Sequence, residues 1–208
     1  NFSSKLKKIT NILNLNSKRE IYSSLVSQIQ NSSSLLKNQI DFESEILKSN
    51  IWDQKQLKFE EQMMFLDLKT YLPDDILVKV DRASMSNSLE TRIPFLDHRV
   101  IDYAFSLSLE NKIQNGKGKI ILRKILNNYI PSNLLDRPKQ GFGIPLDIWL
   151  RSSLKSWVED SIFSNSKIYN FVNKEFIENA WSEHKKGYNN QYLLWNILMF
   201  NSWLERWH

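Results

Sequence analysis

Apolar residues recur at helical spacing along most of the chain, with polar residues between them. The spacing predicts one or two amphipathic helices over residues 2–29 and a further helix over residues 55–71. The Asn- and Ser-rich stretch at residues 30–39 is predicted to be a loop, because Ser and Asn side chains compete for backbone hydrogen bonds. There is no internal repeat and no alternation of strands with helices, so the pattern indicates a mostly α chain.

Prolines and acidic residues predict where the central helices begin and end. Pro73 should end the helix before it, and Asp74 should then cap a new helix over about residues 75–88. Ile93 precedes a proline and should be extended, after which Asp97 should cap another helix. The centre of the chain is therefore predicted to be helix, short extended link, helix.

The last third of the chain shows the same kind of pattern. A helix is predicted over residues 119–129 and should stop at Pro131. An amphipathic stretch covers residues 147–163, and residues 191–207 are apolar around most of a helical circumference. A helix that is apolar nearly all round is usually buried, so we expect this last one in the interior.

Composition narrows the class of protein. The chain has 208 residues, 41% of them hydrophobic and 12% aromatic, which favours a single folded domain over residues 1–208 rather than disorder. It has no Cys and three His, which excludes disulfides and a cysteine nucleophile and disfavours zinc and Ser-His-Asp chemistry. No apolar run is long enough for a membrane span, so a reduced, cytoplasmic setting is the simplest interpretation.

The charge distribution argues against nucleic acid as a partner. The formal net charge is +5, but Lys and Arg are scattered among acidic residues, as on solvated helix faces. The chain begins at Asn1 rather than Met, and we expect it to be an excised or proteolysed piece of something longer.

Glycine is scarce, and four of the five glycines lie in two loops. The loop with Gly116 and Gly118 lacks the spacing of GxxxxGKS or GxxxxGKT, so a phosphate loop of that kind is rejected. Residues 137–145 read RPKQGFGIP, in which two cations precede two glycines and two prolines restrict the backbone. This second loop is either an anion clamp or a surface loop whose glycines only satisfy turn geometry, and composition does not decide between them.

A dense run of charges lies at residues 81–97 among residues with a buried character. The four that stand out are Asp81, Arg82, Glu90 and Arg92. Because unpaired buried charges are costly, they should pair with one another or with a ligand. A structural network and a functional one explain the run equally well at this point.

Two long segments resemble the signature of the asparagine synthetase family. Residues 71–85 read YLPDDILVKVDRASM, and residues 88–97 read SLETRIPFLD. The same order continues with Leu122 and Arg123, the RPKQGF loop and a Trp-rich final helix. The resemblance is strong from about residue 66 to residue 208 and weak before it.

The resemblance implies an ATP-dependent ligase that makes asparagine. In that reaction the side-chain carboxylate of aspartate attacks ATP, pyrophosphate leaves with the help of Mg²⁺, and ammonia displaces AMP. An N-terminal glutaminase domain supplies the ammonia from glutamine. The family fold is adenine-nucleotide α-hydrolase-like (PP-loop ATP pyrophosphatase), and this chain would be its helical C-terminal part, with the parallel sheet lying upstream.

The resemblance also implies roles for individual residues. Lys139 matches the catalytic lysine of the family's R-x-K-x-x-F loop, which holds phosphate and stabilises the developing charge. Arg92 matches the arginine before the PFLD stretch and is expected to contact the phosphates of ATP or pyrophosphate. Asp81 and Glu90 are expected to be ion-pair partners that orient these cations. No metal ligand is assigned in this chain.

Three motifs of the family are missing from the sequence: the SGGxDS pyrophosphatase loop, an acidic motif like GDELFGGY, and the N-terminal cysteine nucleophile. The chain should therefore be inactive alone and should bind neither ATP nor Mg²⁺ tightly. Its expected partners are the upstream half of the synthetase domain and the glutaminase domain, with no nucleic acid and no membrane. The oligomeric state and the contribution of residues 1–65 are left open.

Two alternatives stay open beside the asparagine synthetase interpretation. Relatives reuse the adenylating core, so the chain could belong to an amidotransferase that acts on another carboxylate, such as a sugar acid. In a different class of protein, the chain would be a helical interaction module without catalysis. That alternative predicts that Lys139 and Arg92 are far apart and face solvent.

Overall fold

The computed structural model describes residues 10, 12–29, 32–38, 48–136, 143–163 and 167–208. These residues fall into two compact units. The terminal unit consists of the described residues up to 38 and from 143 onwards, and the central unit consists of residues 48–136. The single domain expected over residues 1–208 stays a prediction.

Helices dominate both units, so the prediction of a mostly α chain is confirmed. The α-helices are α1 (Lys18–Val26), α2 (Ser32–Leu35), α3 (Phe59–Lys69), α4 (Val78–Met85), α5 (His98–Ser106), α6 (Leu109–Lys112), α7 (Ile120–Leu126), α8 (Ser132–Leu135), α9 (Leu146–Arg151), α10 (Lys155–Phe163), α11 (Lys174–Lys185) and α12 (Gln191–Trp207). Short 3-10 helices span Asn50–Asp53, Pro94–Leu96 and Lys167–Asn170, and a π-helix spans Leu72–Leu77. Strands β1 (Ile113–Gln114) and β2 (Lys117–Gly118) form an antiparallel hairpin.

The core of the terminal unit is built mainly from helices α9 to α12. Each contributes apolar side chains one helical turn apart, such as Leu146 and Leu150 from α9. Trp181 and Leu194 are also fully buried there. Full burial of such a side chain stabilises the folded state by roughly 1.5–3 kcal/mol, so this unit has the larger share of the hydrophobic stabilisation.

Helix α12 has the bounds predicted for it, but it is not buried all round. Its buried residues form one stripe: Leu194, Ile197, Leu198, Asn201 and Leu204. Tyr192, Trp203 and Trp207 lie outside the stripe and are exposed. The prediction of an interior helix is wrong, because the core of this unit contacts only one face of α12.

The prediction of a loop at residues 30–39 is wrong for residues 32–35. Helix α2 occupies them, and Leu35 packs into the core of the terminal unit. The backbone N–H of Asn173 donates to the Leu35 carbonyl at 2.7 Å, and that of Lys37 donates to the Phe171 carbonyl at 2.9 Å. Burial of Leu35 and these backbone bonds outweigh the turn preference of the serines.

In the central unit, Asp74 does not cap a helix, contrary to the prediction. Helix α3 ends at Lys69, and the backbone continues through the π-helix into α4. The N–H of Asp74 donates to the Thr70 carbonyl at 2.9 Å, so it is already satisfied as in a helix interior. A π-helical turn lets the chain pass Pro73, which has no N–H to donate, without ending helical structure.

The second capping prediction is confirmed. Ile93 is extended, with φ −105° and ψ 105°, and the Asp97 side chain accepts a hydrogen bond from the Arg99 N–H at 2.9 Å, which begins α5. Helix α7 lies within the predicted residues 119–129. Among the described residues, no helix is both long and apolar enough to cross a bilayer.

Candidate functional site

The central unit contains a cavity of about 450 Å³ between its π-helix and α4 on one side and residues 91–96 on the other. Its apolar lining is Pro73, Leu77, Val78, Val80, Ile93 and Leu96, and its polar lining is Asp81, Thr91 and Arg92. Apolar walls beside one cation, one carboxylate and one hydroxyl suit a ligand that combines an apolar ring or chain with an anionic group.

The local sequence explains how the two walls come to face each other. Pro73, Leu77 and Asp81 are four residues apart and therefore lie along one face of the helical segment. Helix α4 ends at Met85, and Ser88, three residues later, adopts a left-handed φ of 57°. The Leu89 N–H donates to the Ser84 carbonyl at 3.0 Å, which closes the turn and sends the chain back along α4.

Arg92 forms a short ion pair at the edge of this cavity. Its Nη2 atom lies 2.6 Å from Oε1 of Glu90, and the two side chains are 85% and 69% exposed. An ion pair this exposed contributes little to stability, about 0–1 kcal/mol. The guanidinium group has five N–H donors, so it keeps donors for an incoming anion.

Asp81 lines the same cavity as Arg92, and the structure therefore brings two of the predicted site residues together. Among residues 48–136, however, no cation forms an ion pair with Asp81. The buried character expected for this charged run is also wrong, because Asp81, Arg82, Glu90 and Arg92 are all exposed within the central unit. Because the Asp81 carboxylate is exposed to solvent, the free-energy cost of leaving it without a cation partner is small.

Lys139, the residue predicted to be catalytic, lies outside the described residues, as does most of its loop. Within the described part of the chain, no group of three or more His, Asp or Glu side chains is placed to hold a metal ion.

A second charged cluster in the central unit was not found from the sequence. Nη1 of Arg123 lies 2.7 Å from Oδ1 of Asp136, and Nζ of Lys117 lies 3.4 Å from its Oδ2. These residues come from α7, β2 and the end of α8. The Asn115-Gly116 dipeptide, a strong hairpin signal, is the one feature that would have predicted how Lys117 reaches this cluster.

Comparison with known proteins places the chain in a family. The family described as asparagine synthase matches residues 1–205. The chain belongs to the asparagine synthase family. This match confirms the resemblance noted in the sequence, and it covers the cavity with Asp81 and Arg92 as well as the Lys139 loop.

The chain matches only about a fifth of the length of its curated relatives in the asparagine synthase family. Glutamine-hydrolyzing asparagine synthetase 1 of Bacillus subtilis (strain 168) is 34% identical over 143 residues, which are 68% of this chain and 22% of that protein. The glutamine-hydrolyzing asparagine synthetase of Homo sapiens is 34% identical over 119 residues, 52% of this chain and 21% of that protein. No solved structure gives a significant match.

Proposed function

We propose that this chain is the helical C-terminal part of the synthetase domain of a glutamine-dependent asparagine synthetase. The observation that carries the proposal is the family match over residues 1–205, within which Arg92 and Asp81 line one cavity. In the proposed reaction, the β-carboxylate of aspartate attacks the α-phosphorus of ATP and pyrophosphate leaves. Ammonia from glutamine then attacks the β-aspartyl-adenylate, which yields asparagine and AMP.

The proposed roles follow from where negative charge develops. Pyrophosphate gains charge as it leaves, and fixed cations stabilise that charge best when they are in place beforehand. We assign this task to Lys139 and to Arg92, whose guanidinium can bind two phosphate oxygens at once. Glu90 orients Arg92 through their ion pair. Asp81 supports the same cations electrostatically from the wall of the cavity.

ATP and Mg²⁺ are the cofactors of the proposed reaction. The apolar walls of the cavity and its exposed guanidinium support the proposal that it holds part of a nucleotide. Among the described residues, no cluster of three or more His, Asp or Glu side chains could hold a metal ion, and no metal ligand is assigned to this chain. We propose that neither cofactor binds tightly to this chain alone.

The exposed apolar surface of the central unit supports a further element of the proposal. Ile51 and Leu66 are buried in this unit, whereas Leu89, Phe95 and Tyr129 are 62%, 63% and 80% exposed. Extensive exposed apolar surface usually marks a contact with another segment or protein. We propose that the upstream parallel-sheet part of the PP-loop synthetase domain covers it. A glutaminase domain and a cytoplasmic location complete the proposal.

The proposal is tested in the complete protein that carries this chain. We expect aspartate-dependent exchange of labelled pyrophosphate into ATP, and asparagine formation when glutamine is added. Exchange with a sugar acid or another carboxylate in place of aspartate would support the related amidotransferase instead. If no carboxylate supports exchange, the catalytic proposal is wrong and the helical interaction module is favoured.

Two variants sharpen the test. Lys139→Ala in the complete protein should reduce adenylation by at least about 100-fold while the protein stays folded, because a fixed cation is lost where charge develops. The purified 208-residue chain should show no turnover. Turnover of the isolated chain near the rate of the complete enzyme would contradict the proposal that the active site also needs residues upstream of this chain.

A further inference from the structure

We propose that a cavity in the terminal unit binds a neutral polyhydroxyl ligand, such as a mono- or disaccharide. The cavity has a volume of about 400 Å³. Sites for small molecules usually measure about 300–1,000 Å³, so a sugar of one or two rings can enter. Its walls are α11, the turn into α12 with the first residues of that helix, and residues 28–29. This site goes beyond the proposed function, whose cavity belongs to the central unit.

Carboxamide side chains dominate the polar lining of this cavity. They belong to Gln28, Asn179, Asn189 and Asn190. Each carboxamide has an oxygen that accepts and an amino group that donates, and a sugar hydroxyl can also both accept and donate. Phosphate at neutral pH offers mainly acceptors, and an ammonium group offers only donors. The lining therefore matches a ligand rich in hydroxyl groups better than it matches either type of ion.

The Asn190 carboxamide is held with its oxygen left for a ligand. Its Nδ2 atom donates to the carbonyl of Ala180 at 2.9 Å and to Oε2 of Glu183 at 3.2 Å. These two bonds use both hydrogens of the amino group and fix the plane of the carboxamide. Among the described residues, no donor binds Oδ1 of Asn190, so this oxygen is a preorganised acceptor on the cavity wall.

Asn189 and Gln28 are held in the opposite sense. Oδ1 of Asn189 accepts from the N–H of Gln191 at 3.1 Å, and Oε1 of Gln28 accepts from Nδ2 of Asn196 at 3.0 Å. Both oxygens are therefore occupied, whereas the two amino groups donate to no described residue. The cavity thus offers two oriented donors beside its oriented acceptor. Side chains that are already oriented lower the entropy cost of binding, because the ligand has less to order.

Aromatic rings supply the apolar side of the site. Phe176 and Tyr192 both line the cavity. Phe176 is half-buried and packs against the core, whereas Tyr192 is 57% exposed. The C–H faces of a sugar ring are apolar and can pack against an aromatic ring, and the Tyr192 hydroxyl adds a further donor and acceptor. Apolar walls with a few convergent polar groups are the usual composition of a small-molecule site.

The charge of the lining argues against an ionic ligand. Glu183 is the one charged residue among the described residues of the lining, and its side chain is exposed. An anion would meet a carboxylate there and no cation. A cation could pair with Glu183, but an ion pair exposed to solvent contributes little affinity. Charge and hydrogen bonding therefore favour the same neutral ligand.

The test is saturation-transfer difference NMR on the complete protein, titrated with methyl α-glucoside, methyl β-galactoside, N-acetylglucosamine and maltose. At least one should bind with a Kd on the order of 1 mM, since the cavity is open to solvent and the ligand is small. Asn179→Ala and Tyr192→Ala should each weaken binding by at least about fivefold. No binding of any of the four sugars up to about 10 mM would overturn the inference, as would binding that both variants leave unchanged.

The matched control for Tyr192→Ala is Tyr188→Ala. Tyr188 is a tyrosine of the same unit that is 64% exposed and does not line the cavity. Its substitution should change sugar binding by less than about twofold. An equal loss of binding in Tyr188→Ala and Tyr192→Ala would mean that contact with the Tyr192 ring is not the cause, and the site would be wrong.

Glu183→Gln tests the neutral character of the ligand, because it removes the charge and keeps an oxygen for Nδ2 of Asn190. Sugar binding should change by less than about threefold, and a larger loss would contradict a neutral ligand. Spermidine is titrated in the same way. Spermidine binding that Glu183→Gln abolishes, without binding of any sugar, would identify a cation site and overturn the inference. None of these measurements uses the exchange reaction, so this site and the proposed function can fail independently.

Discussion

The backbone N–H of Asn190 donates a hydrogen bond to Nδ1 of His184 across 3.3 Å, and this bond closes the turn between α11 and α12. His184 is fully buried, with its ring stacked on Trp181 at a centroid separation of 5.8 Å. Because Nδ1 accepts this bond, the neutral ring carries its proton on Nε2. A doubly protonated ring has no acceptor left, so the turn depends on the neutral form.

The surroundings of His184 lower its pKa. The largest cause is burial, which penalises the charged ring, and the positive charge of Arg151 adds to it. Asp147, whose Oδ1 lies 3.8 Å from Nδ1, raises the pKa, as do the backbone groups of Asp147 and Tyr188, but these effects do not outweigh the first two. The folded chain therefore keeps the ring neutral to lower pH than the unfolded chain does.

The first prediction concerns stability against pH. Below the unfolded pKa of about 6.5, the unfolded chain binds a proton that the folded chain resists, so stability falls as pH falls. His184 should contribute its full stabilisation above about pH 7 and lose it between about pH 6.5 and its lower folded pKa. The slope should not exceed about 1.4 kcal/mol per pH unit. Urea unfolding at pH 7.5 and 5.5 measures it.

Three variants identify the group responsible. His184→Gln should be less stable at pH 7.5 but should lose the histidine part of the slope. Asp147→Asn should steepen the slope, because it removes the charge that favours the protonated ring. His98→Gln serves as the control, because it removes an imidazole that is 85% exposed rather than buried. A wild-type slope in His184→Gln would show that another group causes the pH dependence.

The second prediction concerns Gln62, a fully buried amide in the central unit. Its Nε2 atom donates to the carbonyl of Ile51 at 2.9 Å and to that of Gln54 at 3.2 Å, which ties the segment before α3 to that helix. Gln62→Leu should lower the free energy of unfolding by about 2 kcal/mol, because it leaves both carbonyls without this donor. Urea unfolding measures the loss.

Gln56→Leu is the matched control for Gln62→Leu. Gln56 is exposed, and among the described residues its amide donates to the side chain of Gln54 at 2.6 Å. The control should change the free energy of unfolding by less than about 0.5 kcal/mol. Equal effects from the two leucine substitutions would show that burial of the Gln62 amide has no energetic consequence.

What the sequence predicted correctly depends on contacts between close neighbours in the chain. Asp97 caps α5 through the N–H of Arg99, and Glu90 meets Arg92, in each case across two residues. Local propensities decide such contacts. Asp74 has the same capping potential, but the helical backbone continues through it, and the sequence alone does not show which of these two local options has the lower free energy.

What the sequence could not predict depends on distant contacts. Arg123 and Asp136 are thirteen residues apart and meet only because the chain turns between α7 and α8. His184 and Asp147 lie on different helices of the terminal unit. The predicted burial of α12 was wrong for the same reason. An apolar residue such as Trp203 has the same local sequence pattern whether or not a distant segment packs against it.

The third prediction tests which face of α12 is buried. Leu194 is fully buried in the core of the terminal unit, whereas Tyr192, two residues earlier, is 57% exposed. Leu194→Ala should lower the free energy of unfolding by about 3 kcal/mol, because it removes buried methyl groups and leaves a cavity. Tyr192→Ala should change it by less than about 0.5 kcal/mol. Similar losses at both positions would contradict the single buried stripe.

The last prediction concerns Arg92 and follows from the proposed function. In the complete protein, Arg92→Gln should lower kcat/KM for ATP in the exchange reaction by about 10- to 100-fold, since it removes a charge-assisted contact to phosphate. Arg92→Lys should lie between this value and the wild type, because lysine keeps the charge without the two-pronged geometry.

Substitutions of Glu90 test whether it acts only by orienting Arg92. If Glu90 only orients Arg92 through their 2.6 Å ion pair, Glu90→Gln should lower kcat/KM by less than Arg92→Gln does. Adding Glu90→Gln to Arg92→Gln should then cost little further activity, because the group it orients is already gone. A large additional loss of activity in the double variant would mean that Glu90 contacts a substrate directly. Glu90 would then have a role beyond orienting Arg92.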